Sequence, residues 1–156
     1  MLSIGDLAPL DIELKDLDNK TVSLSTLLGS RVILYFYPKD FTPGCTNEAC
    51  SFRDFYSKIE SLGFKVVGIS SDSVESHLKF KDKHGLNFEL WSDTDHRLAK
   101  AFGVWQEKKM FRRIGFGIKR TTFIIDAKGK ILKVWPDVSV NGHTEQVFNF
   151  LKNIAE

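Results

Sequence analysis

Residues 31–37, Arg-Val-Ile-Leu-Tyr-Phe-Tyr, are a continuous β-branched and aromatic run, which reads as a central strand covered on both faces. Pro38 ends it, because proline supplies no ladder donor. Thr42-Pro43 then opens a helix, Thr as N-cap and Pro at the first helical position, where its missing N–H is of no consequence. Beyond Pro43 the apolar residues Ala49, Phe52, Phe55, Tyr56, Ile59 and Leu62 recur at helical spacing up to a capping Gly63. A buried strand feeding an amphipathic helix is the start of a strand–helix–strand order, which implies a sheet with helices packed on it.

The rest of the chain repeats the theme. Residues 10–15 and 20–24 predict a peripheral hairpin around a turn-rich tetrapeptide, Leu17 to Lys20. Phe64 to Ser70 is a second buried-strand run, and Asp72 with Glu75 has capping-box spacing for a helix ending near Gly85. A short strand over Phe88 to Trp91 and a short helix over Asp95 to Phe102 follow, and Gln106 to Lys119 reads as a loop or loose hairpin. Thr121 to Asp126 and Lys130 to Trp135 predict two strands joined through Ala127-Lys128-Gly129, and His143 to Ala155 predicts a final helix. The expected class is α/β: a central mixed β-sheet flanked by helices, in the element order used by thioredoxin-like domains, with an N-terminal β-hairpin extension. No repeat or linker interrupts residues 1–156, which implies a single domain.

With 22 basic and 20 acidic residues the net charge is +2, which argues against nucleic acid or an anionic membrane as partner. The longest apolar runs are strand-length, and no basic stretch with an apolar core opens the chain, so the expected location is the cytoplasm. In such a reducing setting two cysteines are more often catalytic, redox-active or metal-binding than structural.

Both cysteines, Cys45 and Cys50, fall in the predicted helix, and Cys45 lies in its first turn. Unpaired backbone N–H groups and the positive end of the helix dipole favour a thiolate there. The spacing is C-x-x-x-x-C, which is neither the C-x-x-C of disulfide exchangers nor that of zinc knuckles. Five residues along an α-helix separate two Cα atoms by roughly 8 to 9 Å. A disulfide spans no more than about 7 Å. The pair therefore bonds only if the first turns unwind, which implies a cycle of oxidation at Cys45 and capture by Cys50 after local unfolding.

Thr42 offers a hydroxyl to the site, and Arg120, at the start of a strand expected near the central one, is the natural cation for a thiolate and a polarised oxygen. Glu48 is expected to face solvent or pair with Arg53. His77, His84, His96 and His143 lie scattered without ligand spacing, so they are expected to be solvated and no metal is expected. Lys108, Lys109, Arg112, Arg113, Lys119 and Arg120 read as a solvated loop in preference to a phosphate-binding patch. Taken by themselves, two helical cysteines are also compatible with buried small hydrophobes.

The sequence resembles the peroxiredoxins, and within them the bacterioferritin comigratory protein or peroxiredoxin Q group. The pattern P-x-x-x-T-x-x-C is present as Pro38, Thr42 and Cys45, and the group's second cysteine followed by Ser-Phe-Arg-Asp as Cys50 to Asp54. Likeness continues through Gly68-Ile69-Ser70, Trp91-Ser92-Asp93, Gly103-Val104-Trp105, Arg120 to Asp126 and Gly142-His143, with small departures at Gln106 and Trp135-Pro136. The resemblance implies a thiol peroxidase without cofactor, acting on hydrogen peroxide and alkyl hydroperoxides. Cys45 would be peroxidatic and Cys50 resolving, and Thr42 and Arg120 would activate the thiolate. Thr42, Pro43, Gly44 and Arg120 would hold the peroxide, and thioredoxin or a similar dithiol would recycle a monomeric enzyme. The alternative is a thioredoxin-fold disulfide exchanger or redox-responsive binding module using the same pair.

Amide hydrogen exchange should find residues 46–55 protected in the dithiol form and rapidly exchanging in the disulfide form. A disulfide form with an unbroken helix over those residues would contradict this.

Overall fold

The computed structural model describes residues 1–110 and 113–154. Strand β3 (Arg31–Phe36) is the centre of a seven-stranded sheet. Its neighbours are β4 (Phe64–Ser70), parallel, on one side and β8 (Thr121–Ile125), antiparallel, on the other. The remaining strands extend the two flanks. Beyond β4 lie β5 (Glu89–Ser92) and the hairpin β1 (Leu14–Lys15) and β2 (Thr21–Val22), and beyond β8 lies β9 (Ile131–Trp135). Strands β6 (Trp105–Met110) and β7 (Arg113–Ile118) form a separate antiparallel ribbon where a loop or loose hairpin was expected.

Period-two alternation along β3 builds both cores at once. Val32, Leu34 and Phe36 face one layer with Phe123 and with Leu98 and Phe102 of helix α3 (Arg97–Phe102). Ile33, Tyr35 and Tyr37 face the other. There they meet Ala49, Phe52 and Ile59 of α1 (Pro43–Ser61), Phe80 of α2 (Val74–His84), and Val147 and Leu151 of α4 (His143–Ile154). Strand order β5-β4-β3 steps in one direction through two parallel crossovers, and their right-handedness places α1 and α2 on the same face.

Most expected elements stand within a residue or two of their places, and the hairpin strands are shorter than expected. Ala155, expected in the last helix, lies outside the described residues, as do residues 111 and 112. One cap differs. Ser73, not Asp72, is the N-cap of α2, its hydroxyl accepting from the Ser76 amide at 3.1 Å. Asp72 is drawn away because its carboxylate accepts from Ser70 Oγ at 2.6 Å and from the Asp40 amide at 2.8 Å. A charged acceptor with two donors outcompetes a cap.

Tyr35 lies across its neighbour Gly68 in the parallel register and stacks on Phe52 at 4.8 Å. A Cβ on Gly68 would stand 2.8 Å from Tyr35 Cζ and 3.0 Å from Leu90 Cδ2. Gly68→Ala should therefore cost about 1–3 kcal/mol by overpacking. Urea denaturation measures this, and an unchanged midpoint would refute the contact.

Candidate active site

The antiparallel β3–β8 register pairs Phe36 with Thr121, so the end of β3 and the beginning of β8 lie level. From Phe36 the chain passes through Pro38 to the start of α1, and Arg120 immediately precedes β8. Two segments far apart in sequence thus meet at one end of the sheet. There Arg120 Nη2 donates to Cys45 Sγ at 3.2 Å, and Arg120 Nη1 donates to Glu48 Oε1 at 2.6 Å. Cys45 is 1% exposed, and both cysteines are free thiols within the unbroken helix α1, with Cys50 half-buried.

The helix start has the backbone geometry expected of Thr42, extended at φ −73°, with the first helical bond running from the Thr46 amide to the Thr42 carbonyl at 2.8 Å. The amides of Gly44 and Cys45 precede that ladder and point along the positive end of the dipole. The Thr42 hydroxyl donates to the Lys39 carbonyl at 2.8 Å and makes no side-chain cap. That bond uses the hydroxyl's one proton, so toward any further partner its oxygen can only accept. Pro43 is exposed on the helix end. Gly44 is where a side chain would intrude, since a Cβ there would lie 3.3 Å from Arg120 Nη2.

Phe41, with φ of 67°, holds the left-handed conformation that non-glycine residues seldom adopt. It turns the chain into the helix while its ring packs edge-on to Phe80 at 5.1 Å. Asp40 secures the same loop from below. Its carboxylate accepts from Tyr37 OH at 2.6 Å and Ser76 Oγ at 2.8 Å, and His77 Nδ1 lies 2.7 Å away. Asp40, Asp72 and His77 are close enough to suggest a cation cluster. Their polar atoms are taken up by Tyr37, Ser70, Ser76, the Asp40 amide and the Trp91 carbonyl, and the group serves as a strut from α2 to the loop.

Three expectations are corrected. Glu48 does not face solvent or pair with Arg53; it is buried against Arg120, while Arg53 turns to Asp54 at 3.0 Å and the His84 carbonyl at 2.6 Å. The helical turn from Cys45 puts Glu48 on the same face as the sulfur. His77 and His143 are buried, not solvated. Burial lowers the His143 pKa, and the ring bridges Thr122 and Gln146 at 2.8 and 3.3 Å. Lys108 and Arg120 of the basic run are half-buried, not solvated, and Arg120 lies within the site itself. Asp40, Glu48 and His77 carry no spacing signal; the clue in the sequence is a polar residue at a position on the apolar face of α1 for Glu48 and of α2 for His77, and Asp40, in a turn, offers none.

Burial pushes the Glu48 pKa up to about 7 against the pull of Arg120. Burial disfavours the Arg120 cation, but Glu48 and Cys45 outweigh it and raise its pKa. Burial and then the negative charges of Glu48 and Cys45 raise the Tyr35 phenol pKa well above the usual range, so it stays neutral under the site. Among the described residues Tyr35 OH and Glu48 Oε2 are buried with no protein hydrogen bond.

A buried thiol at a helix start, held by a guanidinium above a thioredoxin-like sheet, defines a cysteine-based redox protein. Residues 4–134 match the AhpC/TSA family. Peroxiredoxin Bcp of Bacillus subtilis is 47% identical over 99% of this chain and 98% of its own, and that of Escherichia coli 44% over 99% and 98%. The structure of Xanthomonas campestris peroxiredoxin Q superimposes with a TM-score of 0.92 at 37% identity, covering 99% of each chain. Another, of bacterioferritin comigratory protein from the same organism, addresses its alkyl peroxide reduction activity; it matches with a TM-score of 0.90 at 36% identity, over 97% of this chain and 100% of that one. The chain belongs to the AhpC/TSA family, in the Bcp or peroxiredoxin Q group of peroxiredoxins. Among the described residues no helix is long and apolar enough to cross a membrane.

Glu48 holds its proton more tightly in the folded chain than in the unfolded one. Its pKa is raised in the folded state, so it contributes stability below the unfolded value near 4.5, and that contribution is lost as pH rises through about 7. Relative to Glu48→Gln, the wild type should lose about 2–3 kcal/mol of stability between those limits. Urea melts of both proteins across that range measure the difference, and parallel pH curves would refute the burial argument.

Proposed function

We propose that the protein is a peroxidase that reduces hydrogen peroxide and alkyl hydroperoxides at Cys45. The observation that carries this reading is the 3.2 Å contact between the Arg120 guanidinium and the Cys45 sulfur at the open end of α1. The guanidinium and the helix-start amides stabilise negative charge on sulfur. The same donors hold the peroxide, whose O–H proton is accepted by the Thr42 hydroxyl.

The thiolate attacks the near peroxide oxygen in line with the O–O bond. The S–O bond forms, the O–O bond breaks, and the departing alkoxide or hydroxide takes a proton to leave as alcohol or water. Cys45 becomes a sulfenic acid. Arg120 and the amides face the charge that moves from sulfur to the leaving oxygen, where fixed donors act most strongly. Pro43 shields the sulfur from the solvent side, and Gly44 leaves room for the guanidinium.

Cys50 then attacks the sulfenic sulfur once the first turns of α1 unwind. The S–S bond forms, and the hydroxyl leaves with the Cys50 proton as water. A dithiol reductant, thioredoxin or a similar protein, supplies the two electrons that restore both thiols. The cycle runs within one chain of one domain, as a monomer in a reducing cytoplasm, and needs no metal or cofactor.

The test is peroxide-dependent oxidation of thioredoxin. Cys45→Ser should show no turnover, and Cys50→Ser one oxidation per chain followed by stalling. Arg120→Met should lower the rate of Cys45 oxidation about a hundredfold, and Thr42→Val about tenfold. Turnover surviving in Cys45→Ser would end the assignment. A purely disulfide-exchanging protein would instead be insensitive to Thr42→Val and Arg120→Met.

A further inference from the structure

The β6–β7 ribbon, which leads directly into Arg120, carries a further cation. Lys108 on β6 is half-buried, and its stem crosses the ribbon over Gly117 on β7. A Cβ on Gly117 would lie 3.1 Å from Lys108 Cδ, 3.4 Å from Cε and 3.6 Å from Nζ, so the stem lies directly on the glycine. The stem is thereby directed along the ribbon toward its base, where β7 leads through Lys119 to Arg120. The groups acting on its ammonium are Arg120, Cys45 and Asp137, which puts it in the charge field of the reacting sulfur. Burial, then Arg120, lowers its pKa, with Cys45 and Asp137 opposing.

Lys108 differs from Arg120 in one respect. Both outer nitrogens of Arg120 are engaged, one by Glu48 and one by Cys45, whereas the described residues provide Lys108 with no salt bridge. Asp137 is near enough to be felt but makes no ion pair with it. Lys108 therefore has donors to spare for a ligand entering the mouth of the site. Trp105 and Phe116 stack at 6.3 Å on the opposite face of the ribbon, which leaves the face of Lys108 and Gly117 free of their aromatic cover.

Resting on the peroxidase reading above, we propose that Lys108 is a specificity-determining residue that favours hydroperoxides bearing a carboxylate over neutral ones. The ammonium receives the carboxylate while the peroxide end reaches Cys45 and Arg120. An ammonium meeting a carboxylate at a partly wet site gives a preference of about fivefold to tenfold, which weakens as salt screens it.

The experiment follows Cys45 oxidation in single turnovers, without reductant, by hydrogen peroxide, by 6-hydroperoxyhexanoate and by its methyl ester. The readout is the acid-to-ester rate ratio within each protein, which cancels any general change in sulfur reactivity. Wild type should favour the acid about fivefold or more, with the ratio falling toward one at 0.5 M salt. Lys108→Met, which keeps the apolar stem, should bring the ratio to about one, and Lys108→Arg should restore it. A wild-type ratio of one, or an unchanged ratio in Lys108→Met, overturns the proposal and leaves the peroxidase reading standing. If hydrogen peroxide fails to oxidise Cys45 at all, the peroxidase reading itself falls.

Discussion

The Arg120 guanidinium is the joint on which the site depends, because it ties β8 to α1 through two different side chains, Cys45 and Glu48. That joint requires the β3–β8 pairing to be antiparallel, since only then does the start of β8 come level with the end of β3. It also requires β3 to be central and covered on both faces, so that α1 sits on a rigid floor of Tyr35, Tyr37 and Ile124. A one-residue slip in register would send Arg120 to the opposite face of the sheet. The hydrophobic alternation of β3 guards against that slip.

Charge burial makes the joint costly and gives it a second property. Glu48 is held at a pKa near 7 in an apolar surrounding, so near neutrality the guanidinium faces an anion that is close to losing its charge. Glu48 lies between Cys45 and Cys50, inside the segment that has to unwind before the two sulfurs can bond. In the proposed cycle, oxidation of the thiolate to sulfenic acid removes one anionic partner of Arg120, and unwinding removes the other. The interactions that order the helix start are thus the ones that the proposed cycle would dismantle.

The polar strut behind the loop works in the other direction. Asp40, Ser76 and His77 hold the Pro38–Thr42 segment to α2, while Phe41 absorbs a left-handed turn and packs on Phe80. A helix start that opens must do so from a fixed entry point, and the strut supplies it. Gly68 completes the floor by letting Tyr35 lie flat between strand and helix.

The residues alone determined the α/β class, the order of most elements, the place of Cys45 in the first helical turn and the conflict between an intact helix and a Cys45–Cys50 bond. Each follows from local period, capping chemistry or helix rise, which act over a few residues. Tertiary structure decided the partner of Glu48, the burial of His77 and His143, the diversion of Asp72 from its cap and the half-burial of Lys108 across Gly117. These depend on contacts spanning tens of residues, such as the 72 between Glu48 and Arg120, and on competition among acceptors. No periodicity encodes such contacts, because a charged side chain reads the same in sequence whether water or a guanidinium receives it. Only the packing of β8 beside β3 settles which.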